Sequence, residues 1–86
     1  MKLIIVIARD HDADVVTQAL TAEHFRVTRI ASTGGFLRSG VATLLVGVDD
    51  AQVQPAIDLM RATLNKISEQ SQVTLFVVPV ERFEQV

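Results

Sequence analysis

The sequence predicts a small α+β domain in which two helices cover one face of a four-stranded antiparallel sheet. Four short apolar segments rich in β-branched residues alternate with two longer segments whose apolar residues recur every three or four positions. The order of these segments is β-α-β-β-α-β, the split β-α-β arrangement. The length of 86 residues allows one domain, so we treat residues 1–86 as a single domain.

The first strand and the first helix come from the N-terminal part of the chain. Leu3 to Ala8 is a continuous apolar run, which predicts a strand buried on both faces. It resembles a signal peptide, but the run is short and acidic residues follow at once, which favours a buried strand. A helix follows, because Asp12 or Asp14 can cap it and an apolar stripe then continues to about Glu23.

The second strand is predicted over Phe25 to Ala31. Side chains alternate between the two faces of a strand, so Arg26 and Thr28 face one way and Phe25 and Val27 the other. The polar pair therefore points toward a common surface.

A glycine-rich loop follows, with the sequence Ser-Thr-Gly-Gly-Phe-Leu-Arg-Ser-Gly at residues 32–40. Glycines let the backbone come close to a partner, and N–H and hydroxyl groups can donate to an anion such as phosphate. Phe36 and Leu37 would lie exposed unless a ligand or a second subunit covers them. We interpret the loop as part of a ligand site or subunit interface; the alternative is a plain hairpin connection.

The third strand and the second helix are predicted from Val41 to Lys66. Val41 to Val48 has strand character, with Gly47 near its end where a side chain has no room. Asp49 and Asp50 open the helix, and its apolar stripe belongs to the core: Val53, Ile57, Met60, Leu64 and Ile67. Two adjacent acids at a helix start are explained by capping and the helix dipole, so we expect no metal there.

The fourth strand, Val73 to Val78, is ended by Pro79. The complete order matches ferredoxin-like domains. Strands one, three and four are apolar at nearly every position, so the sheet face without helices would expose a large apolar area in a monomer. We therefore expect a homo-oligomer, and packing of sheets around a threefold axis would cover that face.

Composition narrows the function classes. The chain has no cysteine and only two histidines, which excludes disulfides and the usual zinc sites. It has no cysteine nucleophile and no serine in a recognisable elbow, so we expect a binding module rather than an enzyme, without cofactor. A net charge of −2 gives no support to nucleic-acid polymers as partners. No transmembrane or lipidation signal is visible, so we place the protein in the cytoplasm, off the membrane.

The distribution of charge is more informative than the total. Residues 25–48 contain no Asp or Glu but do contain Arg26, Arg29 and Arg38. This predicts a basic patch around the glycine loop, suited to a small anion. The alternative is a solvated strand face whose arginines pair with acids elsewhere in the fold.

With these motifs in hand, the chain resembles the PII-like cyclic-di-AMP receptor proteins of bacteria, which are small cytoplasmic signalling trimers with a ferredoxin-like fold. The strongest likeness is Phe-Arg-Val-Thr at residues 25–28 followed by Thr-Gly-Gly-Phe-Leu-Arg at residues 33–38. Further similar segments are residues 1–5, 47–48 and 76–80, together with Phe83 and Gln85.

In that family the dinucleotide lies in clefts between subunits. The resemblance implies ligand contacts from Arg26, Thr28, Gly35, Phe36, Leu37, Gly47, Phe76 and Gln85. The chemistry of these residue types agrees, because arginine can bond phosphate, threonine adds a hydroxyl and an aromatic ring can stack on a base.

The chain also departs from the family pattern. His24 and Val41 stand where the family usually has asparagines, and valine cannot form a side-chain hydrogen bond. Only a few residues join Ile67 to Val73, whereas the family has a long loop there that is thought to transmit binding to a partner. The leading hypothesis is a homotrimeric sensor of cyclic-di-AMP or a related adenine nucleotide with an unknown downstream protein. The alternative is a trimeric protein-interaction module that has lost nucleotide binding.

Overall fold

The structure, a computed structural model, describes residues 1–31, 40–67 and 73–86. Its elements, in chain order, are β1 (Lys2–Arg9), α1 (Asp10–Ala22), β2 (Val27–Ala31), β3 (Val41–Val48), a 3₁₀ turn (Asp50–Gln52), α2 (Val53–Ile67) and β4 (Thr74–Pro79). The strands form one antiparallel sheet in the order β2-β3-β1-β4. The predicted ferredoxin-like βαββαβ arrangement is confirmed.

The hydrophobic core lies between the helices and one face of the sheet. It is formed by alternate residues of the two central strands and by one stripe of each helix: Ile4, Val6, Ala8, Ala42, Leu44, Val46, Val48, Ala13, Val16, Leu20, Ala56, Met60 and Leu64. In β1 the intervening residues Leu3, Ile5 and Ile7 are only partly buried. The prediction that β1 is buried on both faces is therefore wrong for the single chain, because the helices cover one face only.

Helix α1 begins earlier than the sequence predicts. Its first residue is Asp10, and Arg9 occupies the cap position without a side-chain cap hydrogen bond. Asp12, which is buried, is the third residue of the helix and Asp14 the fifth, so neither occupies the cap position. Instead, the N–H of Asp10 donates to the carbonyl of Gly40 at 2.8 Å, which ties the helix start to the chain just before β3.

The C-terminus of α1 is closed by a Schellman motif. The N–H of Phe25 donates to the carbonyl of Leu20 at 3.0 Å, and the N–H of His24 donates to Thr21, also at 3.0 Å. His24 adopts the left-handed conformation that this motif requires, with φ of +69°. Phe25 then packs against the core, next to the buried Leu20.

The second helix and the last strand differ slightly from the predicted boundaries. The 3₁₀ turn separates Asp49 from α2, and Ile67, the last residue of α2, is 43 % exposed rather than part of the core. Pro79 is the last residue of β4 and pairs with Lys2. A proline is tolerated there because β4 is an edge strand. Among the described residues, neither helix is long and apolar enough to cross a membrane.

Candidate ligand-binding site

The sheet face turned away from the helices carries most of the predicted site residues that the structure describes. We call it the open face, formed by Leu3, Ile5, Ile7, Thr28, Ile30, Thr43, Leu45, Gly47, Thr74, Phe76 and Val78. Its members alternate along each strand with residues of the helix side, and directly paired residues of neighbouring strands share a face.

Thr28 and Phe76 belong to one row across the open face. Thr28 pairs with Leu45, Leu45 pairs with Ile5, and Ile5 pairs with Phe76. Because neighbouring strands are about 4.8 Å apart, Thr28 and Phe76 are separated by about 14 Å. Phe76 is 51 % exposed, so its ring is available at this face.

Arg26 and Gly47 lie at the same end of this face. Arg26 immediately precedes Val27, whose partner is Val46, and Gly47 immediately follows Val46. Arg26 and Thr28 are exposed, whereas Val27 packs against the core. The predicted alternation along this segment is therefore confirmed. Arg26, Thr28 and Gly47 lie near one another on β2 and β3, whereas Phe76 lies on the opposite edge strand, β4, of the same face.

The glycine loop follows Ala31 in the chain, at the end of β2 opposite Arg26. Gly35, Phe36, Leu37 and Arg38 lie outside the described residues. The strands that flank the loop end at the pair formed by Ala31 and Ala42. Five residue steps of extended chain lead from Arg26 to Ala31, a distance of about 17 Å. Within one subunit, Arg26 is therefore not close to the points where the loop leaves the sheet.

Arg29 does not belong to the open face. It pairs with Leu44, a core residue, and its guanidinium reaches Asp10 at 3.2 Å and forms a second ion pair with Asp14. The hydrogen bond that Arg29 donates to the Asp14 carboxylate, together with the charges of Asp14 and Asp10, raises the pKa of Arg29 above its usual value. The basic patch predicted around the loop is therefore wrong for Arg29. The alternative, in which arginines pair with acids elsewhere in the fold, is confirmed there.

Glycine is favoured at positions 40 and 47 for different structural reasons. Gly40 has φ of +87°, and no atom of the described residues lies within 4 Å of a Cβ built on it, so its backbone conformation favours glycine. At Gly47 an added Cβ would lie 3.1 Å from the Met1 Cε atom. The space for a side chain at Gly47 is therefore limited by the end of the Met1 side chain, which the β1–β3 register brings beside it.

His24 has a backbone role. It is exposed and occupies the left-handed position of the Schellman motif. This position favours glycine and, among other residues, asparagine. The interpretation of His24 as a helix-end residue is confirmed, and the asparagine that the resembling family has here suits the same backbone conformation.

Asp50 also has a structural partner. Its carboxylate lies 3.2 Å from the amino group of Met1. Asp49 precedes the 3₁₀ turn, and its side chain makes no cap hydrogen bond, so the predicted capping role of this pair is not seen at Asp49. Within residues 1–31, 40–67 and 73–86, no three acidic or histidine side chains are grouped so as to hold a metal ion.

The tail after β4 starts beside Met1. The N–H of Val80 donates to the carbonyl of Met1 at 3.1 Å. Beyond it, Phe83 is 68 % exposed and Gln85 is also exposed. Gln85 is therefore available to a neighbouring molecule.

A separate cavity of about 350 Å³ lies between α2 and the edge strand β4. It is lined by Ile57, Met60, Arg61, Leu64, Asn65, Val73, Thr74 and Leu75. None of the five predicted site residues that the structure describes lines it, although Thr74 at its rim also belongs to the open face.

Two comparisons with known proteins agree with this architecture. A family model described as cyclic-di-AMP receptor matches residues 1–73 of the chain. A crystal structure of a functionally unknown protein from Pediococcus pentosaceus ATCC 25745 has the same fold, with a TM-score of 0.78 and 26 % sequence identity. That alignment covers 99 % of this chain and 96 % of the other.

Proposed function

Since the chain belongs to the cyclic-di-AMP receptor family, we propose that it is a PII-like signalling protein that binds cyclic-di-AMP or a related adenine nucleotide between the subunits of a homotrimer. The observation that carries the proposal is the position of Arg26 beside Thr28 and Gly47 at the open face, with the exposed ring of Phe76 on the opposite edge strand of that face. Arginine, hydroxyl, bare backbone and aromatic ring are the groups needed for phosphate and base.

The apolar character of the open face supports a homo-oligomer. Its central residues Leu3, Ile5, Ile7 and Leu45 are only partly buried in the single chain, and Ile30 is 46 % exposed. Contiguous apolar surface of this kind is stabilised by contact with another protein surface. A second copy of the same sheet is an apolar partner of matching shape, and a closed ring of copies would cover every such face.

The positions of Arg26 and the loop support a site shared between subunits. Arg26 precedes β2, and the chain continues to the loop from Ala31 at the other end of this strand, about 17 Å from Arg26. A nucleotide that contacts both Arg26 and the glycine loop, as the family pattern implies, is reached more easily when one subunit supplies the loop and its neighbour supplies Arg26. The oligomer is then required for binding and not only for stability.

Each of these side chains is expected to contribute a moderate part of the binding free energy. A charge-assisted hydrogen bond from Arg26 to phosphate contributes roughly 1.5 to 3 kcal/mol. Stacking of one base on an aromatic ring contributes roughly 1 to 3 kcal/mol, and Phe36 is the residue that the family pattern assigns to this contact. A signalling role also implies a downstream protein partner in the cytoplasm.

The decisive experiment is calorimetry of the purified chain with cyclic-di-AMP, cyclic-di-GMP and ATP, combined with light scattering. We expect saturable binding of an adenine nucleotide to a trimer. Arg26→Ala should weaken binding at least tenfold. Arg61→Ala, which removes the same charge from the exposed surface of α2, should leave binding unchanged. A monomeric chain, or no heat with any of the three nucleotides at millimolar concentration, would refute the proposal.

One observation favours a second candidate function. Val41 lies at the start of β3, is partly buried, and can supply no side-chain hydrogen bond where the family usually has asparagine. The chain would then be a trimeric protein-interaction module that no longer binds nucleotide. A trimer by light scattering with no calorimetric response to nucleotides supports this candidate, and recovery of binding in Val41→Asn would identify the lost contact.

A further inference from the structure

We propose that the side chain of Met1 is a wall of this ligand site, where it closes over Gly47 and contacts the aromatic base of a bound nucleotide. The inference rests on the proposed function and adds to it a residue that the family resemblance does not assign. It starts from the position of the Met1 methyl group.

Gly47 presents bare backbone on the open face. Its partner on β1 is Leu3, and on its other side Arg26 immediately precedes Val27, the first residue of β2. The Met1 Cε atom lies only 3.1 Å from the position that a Cβ of residue 47 would take. The methyl group of Met1 therefore covers the space that the missing side chain leaves.

The backbone of Met1 is held from two directions. Its carbonyl accepts the N–H of Val80 at 3.1 Å, and its amino group lies 3.2 Å from the Asp50 carboxylate. The next residue, Lys2, pairs with both Val48 and Pro79. Since the main chain is fixed on both sides, movement at this position is left to the side chain.

The Met1 side chain is suited to contact with a flat aromatic ring. Methionine is 49 % exposed here, it has three rotatable bonds, and its thioether makes favourable contacts with the edges of aromatic rings. A ring that enters above Gly47 would displace the methyl group sideways and pack against it. Arg26 lies at the same end of the sheet and is available for the phosphate of that nucleotide.

The two methionines of the chain permit a direct test. Met60 is buried in the core, 1 % exposed, and serves as an internal control. The untagged chain is labelled with ¹³C-methyl methionine and titrated with cyclic-di-AMP. We expect the nucleotide to shift the Met1 methyl resonance. The shift should saturate at the same nucleotide concentration as the calorimetric signal. Nuclear Overhauser contacts should connect the Met1 methyl to protons of the base, and the Met60 resonance should change much less.

The outcomes separate the two proposals. Saturable binding with no Overhauser contact from Met1 to the base would overturn the role of Met1 and leave the proposed function standing. Absence of binding to cyclic-di-AMP and ATP would overturn both.

Oxidation supplies a second readout. Peroxide should convert the exposed Met1 to its sulfoxide while Met60 stays intact, which peptide mass analysis would verify. The sulfoxide is polar, so we expect several-fold weaker nucleotide binding, and bound nucleotide should slow the oxidation of Met1. Equal affinity of the oxidised and unoxidised chains would contradict the proposal.

Discussion

Arg29 forms an ion pair with Asp14 on the helix side of β2, although Thr28, the preceding residue, belongs to the open face. Thr28 and Arg29, although adjacent in β2, therefore lie on opposite faces of the sheet. Arg29 joins the edge strand to the first turns of α1, whereas Arg26 stays on the side where a ligand is expected. The two arginines are close in sequence but separated in role.

This difference predicts opposite effects for two variants that remove the same charge. Arg29→Gln should lower the melting temperature by a few degrees, because the link to Asp10 and Asp14 is lost, and should leave nucleotide affinity unchanged. Arg26→Gln should weaken binding at least tenfold with little effect on melting. Scanning calorimetry and titration calorimetry on both variants measure this, and weaker binding in Arg29→Gln alone would contradict the assignment.

The pH dependence follows from the raised pKa of Arg29. A cation whose pKa is higher in the folded state stabilises that state below its unfolded pKa and loses this contribution as pH rises through the folded pKa. For arginine this window lies in strong alkali. The difference in melting temperature between the parent and Arg29→Gln should therefore be the same at pH 6 and pH 9, and a steady decline across that range would show that Arg29 loses its charge.

Much of this arrangement follows from sequence pattern, and some of it does not. Side chains of a strand alternate between its two faces, which predicts that Arg26 and Thr28 share a face. The same alternation places Arg29 on the opposite face. The expectation of a basic patch is wrong for Arg29, because it relied on nearness in sequence. Placement of Phe76 in the row of Thr28 needs the register of three strand pairs, which composition and periodicity do not specify. The contact of Met1 with Gly47 likewise depends on that register.

Gly40 should be sensitive to substitution for a backbone reason. Its φ of +87° is costly for any residue with a Cβ, while the surroundings leave space for one. We expect Gly40→Ala to reduce the free energy of unfolding by about 1 kcal/mol, measured by urea denaturation. Unchanged stability would mean that the chain relaxes to another conformation at this position.

Gly47 should show the reverse pattern. Among the described residues, an alanine Cβ there comes within 4 Å only of the flexible end of Met1, so a small shift of Met1 relieves the contact. Gly47→Ala should therefore melt close to the parent but bind cyclic-di-AMP more weakly, since the added methyl fills the space proposed for the base. Gly40→Ala is the matched control, with lower stability as its main effect.

His24→Gly should stabilise the fold. The left-handed conformation at the C-terminus of α1, with φ of +69°, costs a residue with a Cβ roughly 1 kcal/mol or more, and glycine avoids that cost. Part of this gain is offset by the greater freedom of glycine in the unfolded chain, so we expect a net gain of about 0.5 kcal/mol in urea denaturation.

His24→Asn separates the backbone role from a ligand role. Asparagine also tolerates the left-handed conformation, so stability should rise slightly. If nucleotide affinity rises as well, and does not rise in His24→Gly, the asparagine side chain contacts the ligand. Equal affinity in both variants would restrict this position to helix termination.

The oligomer is tested at Ile5, which lies between Leu45 and Phe76 at the centre of the open face. Ile5→Glu places a charge where another subunit is expected, so light scattering should report a monomer in place of a trimer, and nucleotide binding should disappear with the shared site. Val77→Glu is the control, because Val77 pairs with Ile4, lies on the helix side of the edge strand and is 41 % exposed. It should remain trimeric.

Circular dichroism would verify that both variants are folded, and Ile5→Thr offers a milder change if the charged variant unfolds. A trimeric, nucleotide-binding Ile5→Glu would place the subunit interface elsewhere on the molecule.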